Sequence, residues 1–512
     1  MIPTLVLAGA LAAAPSLSRS ERSFAEFLDA DDRARADPTA RHVARRDARA
    51  AVARDEFARV DPEALPPGDL RALEVMRRAL DPRASTSDAL TESIYKAYGE
   101  AAQSIAWRGE TLDRLTILGR LAAEPDRERR KSLFLALTPV WTSMAGTSPK
   151  ASPYAKLVGA NVETWSRAPE RSPFTQKARE WGLTPQELEG WLVRVLEAWR
   201  EAAAPESPVE PWDWYYATGA ADRAFADTLS LPVMLAAAER YYDGLGASRK
   251  ALHLSLDLMP RPGKDPVAFT DFVRHGRFEG GRWRPAKLRI SASYRTGGLG
   301  NLYELMHEMG HAAHIAAIRG RPAFADWPDS DVLTEALADV LGVTAYEPAW
   351  QSRYLGAAGK PDDLLRSRLS GTMLDVAWAL LEMRAHRDPT ADPSAIWAEL
   401  TSRYLGIVPH PELPWWAMRG QLIDAPGYMT NYALGAILTE ALRDRVKELR
   451  GDGAFVSPTP ELYAWLSERL YRFGLARPSS QVVEDFLGGK VSPDPLVRRI
   501  TEIALAFPAG SR

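Results

Sequence analysis

The stretch His307-Glu308-Met309-Gly310-His311 lies near the middle of a run, Asn301 to about Ile318, whose apolar residues recur at helical spacing. Two histidines four apart on a helix project from one face, one turn apart, so both imidazoles can grip a single cation. Glu308 then lies beside the metal rather than on it. A hydrolytic zinc keeps three protein ligands and leaves a fourth position for water, so one more donor is needed downstream. Glu335 is the candidate. It stands in Leu333-Thr334-Glu335-Ala336-Leu337-Ala338-Asp339-Val340, a second helical stretch after the turn-rich Asp326-Trp327-Pro328-Asp329-Ser330, where Asp329 or Ser330 can cap the helix. Asp339 follows Glu335 at i+4 and is placed to accept the other N–H of a metal-bound imidazole, which fixes its tautomer. The spacing predicts one Zn2+ per chain, held by His307, His311 and Glu335.

At 512 residues the chain can bury a large core. Ala, Leu, Arg and Glu dominate both halves, with no internal repeat and no long Ser/Gly linker, which predicts a mainly α body in two lobes. The 64 basic and 67 acidic residues leave a formal charge of −3. That offers no field for nucleic acid, and basic clusters such as Arg127-Glu128-Arg129-Arg130-Lys131 are interrupted by acids. Cysteine is absent, which excludes disulfides, a thiol nucleophile and a thiolate-bound metal; zinc must use histidine and carboxylate.

Leu5 to Ala14 is an apolar run ending in small residues before Pro15, and reads as a short signal peptide over 1–19 that lacks a basic n-region. It is too short to span a bilayer, so stable membrane insertion is not expected. The expected location is outside the cytoplasm, periplasmic or secreted, with an Ala-rich helix start in a cytoplasmic protein as the alternative. From Ser20 to about Arg200 amphipathic helices are broken at Pro38, Pro62, Pro66-Pro67, Pro82, Pro125 and Pro139. This makes 20–205 a helical N-terminal lobe, a lid or wall or equally a plain scaffold, and 206–512 the catalytic lobe.

After the turn Arg261-Pro262-Gly263-Lys264-Asp265-Pro266 the pattern changes. Arg277 to Trp283 reads as a hairpin and Ala286 to Tyr294 as a strand, the one β region expected, a small antiparallel sheet beside the motif helix. Ile290-Ser291-Ala292-Ser293 is expected to run past the metal as an exposed edge, with Ser291, Ala292 and Ser293 offering backbone groups to an extended peptide. Further on, Tyr428 and Tyr432 share a helix face. If that face turns to the metal, a phenol can donate to the oxyanion of a tetrahedral intermediate. His253, His275, His314 and His386 are expected to be structural or exposed.

HEMGHAAH at 307–314, the Glu335 helix 24 residues after His311, PWDWYY at 211–216, Leu258-Met259-Pro260-Arg261-Pro262-Gly263-Lys264 and the Gly427-Tyr428 segment together resemble the thimet oligopeptidase and oligoendopeptidase family. EALADV at 335–340 and the HEMGH are similar also to the angiotensin-converting-enzyme family. The resemblance is specific from about Pro211 to Leu442. It implies a bilobal helical zinc peptidase whose deep channel admits short unstructured peptides. In that pattern His307, His311 and Glu335 are ligands, Glu308 is the general base, and Tyr428 or Tyr432 is the oxyanion donor. The family's tyrosine segment carries a histidine upstream; here the positions near Asp424 have none. Cleavage inside oligopeptides competes with release of C-terminal dipeptides, for which Arg419 could hold the terminal carboxylate, although an ordinary surface or helix-capping arginine is the commoner reading, and with a silent peptide-binding scaffold. The oligomeric state is not legible.

Overall fold

The computed structural model describes residues 17–37, 39–81, 89–148, 151–205, 207–261, 264, 267–279 and 281–505. Most of the expected signal peptide therefore lies outside the described residues. The fold is mainly helical with a small sheet. Among the described residues no helix is long and apolar enough to cross a membrane.

The described residues from Ser18 to Ala202 form successive helices, as their spacing predicts, from Ser18–Ala36 through Pro185–Ala202. Local chemistry sets their ends. Thr184 and Glu187 form a reciprocal capping box before Pro185–Ala202, with proline at the first helical position, where no N–H is needed. One element was not expected: β1 (Ile105–Trp107) pairs with β2 (Glu110–Leu112) as an antiparallel hairpin. Its turn is Arg108-Gly109, at φ 49° and 85°. Asn-Gly advertises that left-handed geometry in a sequence, whereas Arg-Gly does not.

The expected β region forms five strands: β3 (Leu254–Asp257), β4 (Phe269–Arg274), β5 (Arg277–Glu279), β6 (Arg282–Arg284) and β7 (Lys287–Ser291). β5 and β6 make the expected hairpin. The sheet beside the motif helix corrects two expectations. It is mixed rather than antiparallel, because β7 pairs parallel with β3 and antiparallel with β4. β7 is also its central strand rather than an edge.

One buried core runs from Ile94 to Ile503 and is not divided at residue 205: the rings of Trp199 and Trp214 lie 6.4 Å apart within it, and Phe134 meets both Trp212 and Trp415. The three N-terminal helices (Ser18–Ala36, Ala40–Ala58 and Pro67–Ala79) gather a second core, to which the rest of the chain lends Ala323 and Phe324 as its buried members. Charge fastens this unit to the body. Arg35 pairs with Asp271 at 3.1 Å and Arg321 with Asp69 at 2.6 Å, while His275 sits between Asp32 and Asp326.

Candidate metal centre

The centre is built where three helices meet: the motif helix (Leu299–Ala317), the Glu335 helix (Asp331–Gly342) and the tyrosine helix (Met429–Arg450). Leu302, Leu305, Met306, Met309 and Ile315 anchor the motif helix in the core without exposure. Each such side chain contributes roughly 1.5–3 kcal/mol of burial. This fixes which face carries His307 and His311. The Glu335 helix crosses very close, because a Cβ on Gly310 would meet the Ala338 carbonyl at 2.2 Å. Glycine within the HEMGH is thus a packing requirement. Of the two expected caps, Asp329 and Ser330, it is Ser330 that serves, its Oγ accepting from Leu333 N–H at 3.2 Å.

The structure brings His307, His311 and Glu335 together, with one donor atom from each lying within 4.8 Å of the others. His307 Nδ1 is 2.8 Å from Asp339 Oδ1, as the i+4 spacing from Glu335 predicts. Tyr303 O–H, one turn before His307, is 3.0 Å from both Asp339 oxygens and steadies that carboxylate. Asp339 holds a proton on Nδ1, which leaves Nε2 of His307 facing Glu335 Oε2, 3.5 Å away. His311 stands at 87° to His307 with ring centroids 4.6 Å apart, and its buried Nδ1 has no hydrogen-bond partner. Two imidazoles and a carboxylate thus converge on one point. This donor set fits a divalent ion that accepts imidazole and carboxylate, as zinc does.

The electrostatics carry the same signature. Burial works against a charged His307, but Asp339, Glu308 and Glu335 outweigh it and raise the imidazole to about 10. His311, buried and facing His307 and His314, is held well below its usual range. Burial pushes Glu335 up to about 7, against the pull of His307. Glu308 is also raised by burial, with His307 and Thr270 opposing. Among the described residues no lysine or arginine pairs with Glu308, Glu335 or Asp339.

Glu308 does not point at random. Thr270 Oγ1 on β4 is 2.6 Å from Glu308 Oε2 and 2.9 Å from the Glu308 carbonyl oxygen, so the hydroxyl steers the carboxylate from the sheet. No sequence signal marked Thr270, 38 residues upstream. Tyr303 was legible in principle, four positions before His307 on the same helix. Tyr428 O–H donates to Glu335 Oε1 at 3.3 Å, and its ring meets that of Tyr432 at 5.3 Å. Both tyrosines of the expected pair thus line the Glu335 side of the centre.

The substrate strand at Ser291, Ala292 and Ser293 is a correction. Ser291 and Ala292 are buried, Ser291 pairs with Asp257 and Phe269 on its two sides, and Ala292 N–H donates to the Asp257 carbonyl at 2.9 Å. Lys264 Nζ takes the Ala292 carbonyl. Ser293 is half-buried and also engaged. The parallel neighbour β3 consumes the edge that the sequence left open. Among the other histidines, His253 is exposed, His314 packs against Trp327 and Tyr471, and His386 stacks on Trp165. His410 is held by Glu210 and Glu412.

No protein-family profile matches the sequence, and no curated protein matches it. Solved structures do. An M32 carboxypeptidase from Deinococcus radiodurans R1 superposes with a TM-score of 0.59 at 14% identity, over 95% of this chain and 98% of that one. A provisionally named oligoendopeptidase F superposes with a TM-score of 0.61 at 15% identity, over 96% and 97%. At such identities the likeness is one of fold, a mainly helical one with a small sheet.

Proposed function

We propose that this chain is a zinc-dependent peptidase that hydrolyses peptide bonds inside short, unstructured oligopeptides. The observation that carries the reading is the convergence of His307, His311 and Glu335 with Glu308 set beside them. A zinc ion bound there would polarise the scissile carbonyl and acidify water. Glu308, steered by Thr270 and raised in pKa by burial, takes the proton of the attacking water and returns it to the leaving amine. Tyr428 donates its phenol O–H to the oxyanion as the carbonyl becomes tetrahedral, with Tyr432 packed behind it. Asp339 and Tyr303 hold the His307 tautomer.

Release of C-terminal dipeptides asks for a free cation to hold the terminal carboxylate. Arg419 donates to Asp375 and lies 4.7 Å over the Trp378 ring, so its charge is already met, which favours internal cleavage. The test is a mixed pool of peptides about five to fifteen residues long, analysed by mass spectrometry with wild type and Glu308→Gln. Internal cuts that disappear in the variant support the reading. Zinc binding with no cuts by the wild type would leave a silent scaffold in its place.

A further inference from the structure

A carboxyl group outside the metal centre holds the turn that carries Tyr428. Glu382, near the end of the Pro361–Arg387 helix, has no exposed surface, and among the described residues no arginine or lysine pairs with it. Its two oxygens are spent on backbone. Oε1 accepts the Gly427 N–H at 2.8 Å and Oε2 accepts the Met429 N–H at 3.3 Å. These are the amides on either side of Tyr428, at the start of the tyrosine helix, where the first N–H groups have no partner within the helix. Tyr428 stands at the cap position and supplies no side-chain cap of its own. The cap comes from another helix instead.

The same turn is pinched from the opposite side. Gly427 takes φ 84°, and a Cβ there would lie 2.8 Å from Pro173 Cβ. Around the carboxyl, Tyr154 is buried with no hydrogen bond for its O–H, and His386 Nδ1 donates to the Glu382 carbonyl at 2.9 Å rather than to the carboxyl. Burial pushes Glu382 up to about 8, and only the two amides pull the other way. An apolar side chain of this size would be cheaper to bury. The two N–H groups fall on separate oxygens, and glutamine would set an NH2 donor against one of them.

We propose that Glu382 is a positioning residue for Tyr428: by clamping the amides that flank it, the carboxyl fixes where the phenol points. The inference rests on Tyr428 being the oxyanion donor. A displacement of about 1 Å in such a group is costly, so the clamp acts on turnover rather than on substrate binding.

The test is a double-substitution cycle on the zinc-loaded protein with Glu382→Gln, Glu382→Met and Tyr428→Phe, reading kcat, KM, zinc content and the affinity of a phosphinic peptide that mimics the tetrahedral intermediate. Tyr428→Phe is expected to lower kcat about 100-fold with KM little changed. Each Glu382 substitution is expected to lower kcat and phosphinate affinity about 10-fold, at full zinc content, and to cost nothing further in the Tyr428→Phe background. Losses that multiply instead would show that Glu382 does not act through Tyr428. Unchanged kcat in both Glu382 variants would overturn the clamp outright. Unchanged kcat in Tyr428→Phe alone would remove the oxyanion reading and the clamp with it. Glu382→Met removes the buried carboxyl altogether and guards against a glutamine that misfolds; if neither variant folds, Glu382 is structural and the proposal falls.

Discussion

His307 and His275 are both imidazoles set between two carboxylates, and the contrast between them separates a site from a fastening. His275 has Nδ1 2.7 Å from Asp32 and Nε2 3.4 Å from Asp326, and its own backbone N–H donates to Asp32 at 3.0 Å. Phe272 stacks on it at 4.1 Å, and Arg35 lies 3.8 Å from Asp32. Burial opposes its charge, but the hydrogen bonds and charges of Asp32 and Asp326 raise it to about 9. Every donor is met, and the cluster is closed. Around His307 the carboxylates outnumber the cations, a second imidazole is left with a buried nitrogen unpartnered, and among the described residues no arginine pairs with these carboxylates. An unfilled donor set, rather than a shifted pKa, marks the metal centre.

The largest expected effect strikes the open cluster alone. Glu308→Gln is expected to lower turnover by about 10³-fold or more while zinc content stays at the wild-type value; a stopped peptide assay with metal analysis checks both. His275→Gln is expected to leave zinc and turnover intact but to destabilise the fold. The folded pKa of His275 lies above its unfolded value, so its contribution is fully present below about pH 6.5 and is lost as pH rises through about 9. A shift from 6.5 to about 9 corresponds to roughly 3 kcal/mol. Denaturant unfolding at about pH 6 and pH 10 should show a gap between wild type and His275→Gln that narrows at the higher pH. A gap independent of pH would mean that His275 is neutral in the fold. Asp339→Asn, which weakens the hold on the His307 tautomer, is expected to cost about 10–100-fold in zinc affinity, measured by competition with a chelator. Smallest is Ser330→Ala, which removes the cap of the Glu335 helix and should cost about 1 kcal/mol in chemical unfolding without changing the pH dependence.

The contrast also explains what could be read in advance. The motif helix, the Glu335 helix, the Ser330 cap and the Asp339 contact rest on spacings of three or four residues, which a helix converts directly into proximity. Tyr303 obeys the same rule. Thr270 reaches Glu308 across 38 residues and His275 reaches Asp32 across 243, and nothing local encodes either meeting. β7 was misplaced as an edge because its parallel partner β3 lies more than thirty residues upstream, and the sequence of one strand does not announce its neighbours. Glu382 had no motif at all; only the folded turn at Gly427 reveals what it holds.

Metal content per chain in wild type, His307→Ala and His275→Ala, measured after equilibration with zinc and removal of excess, tests the central distinction most directly. The account predicts one zinc in the wild type, one in His275→Ala and none in His307→Ala. A zinc retained without His307, or lost with His275, would contradict it.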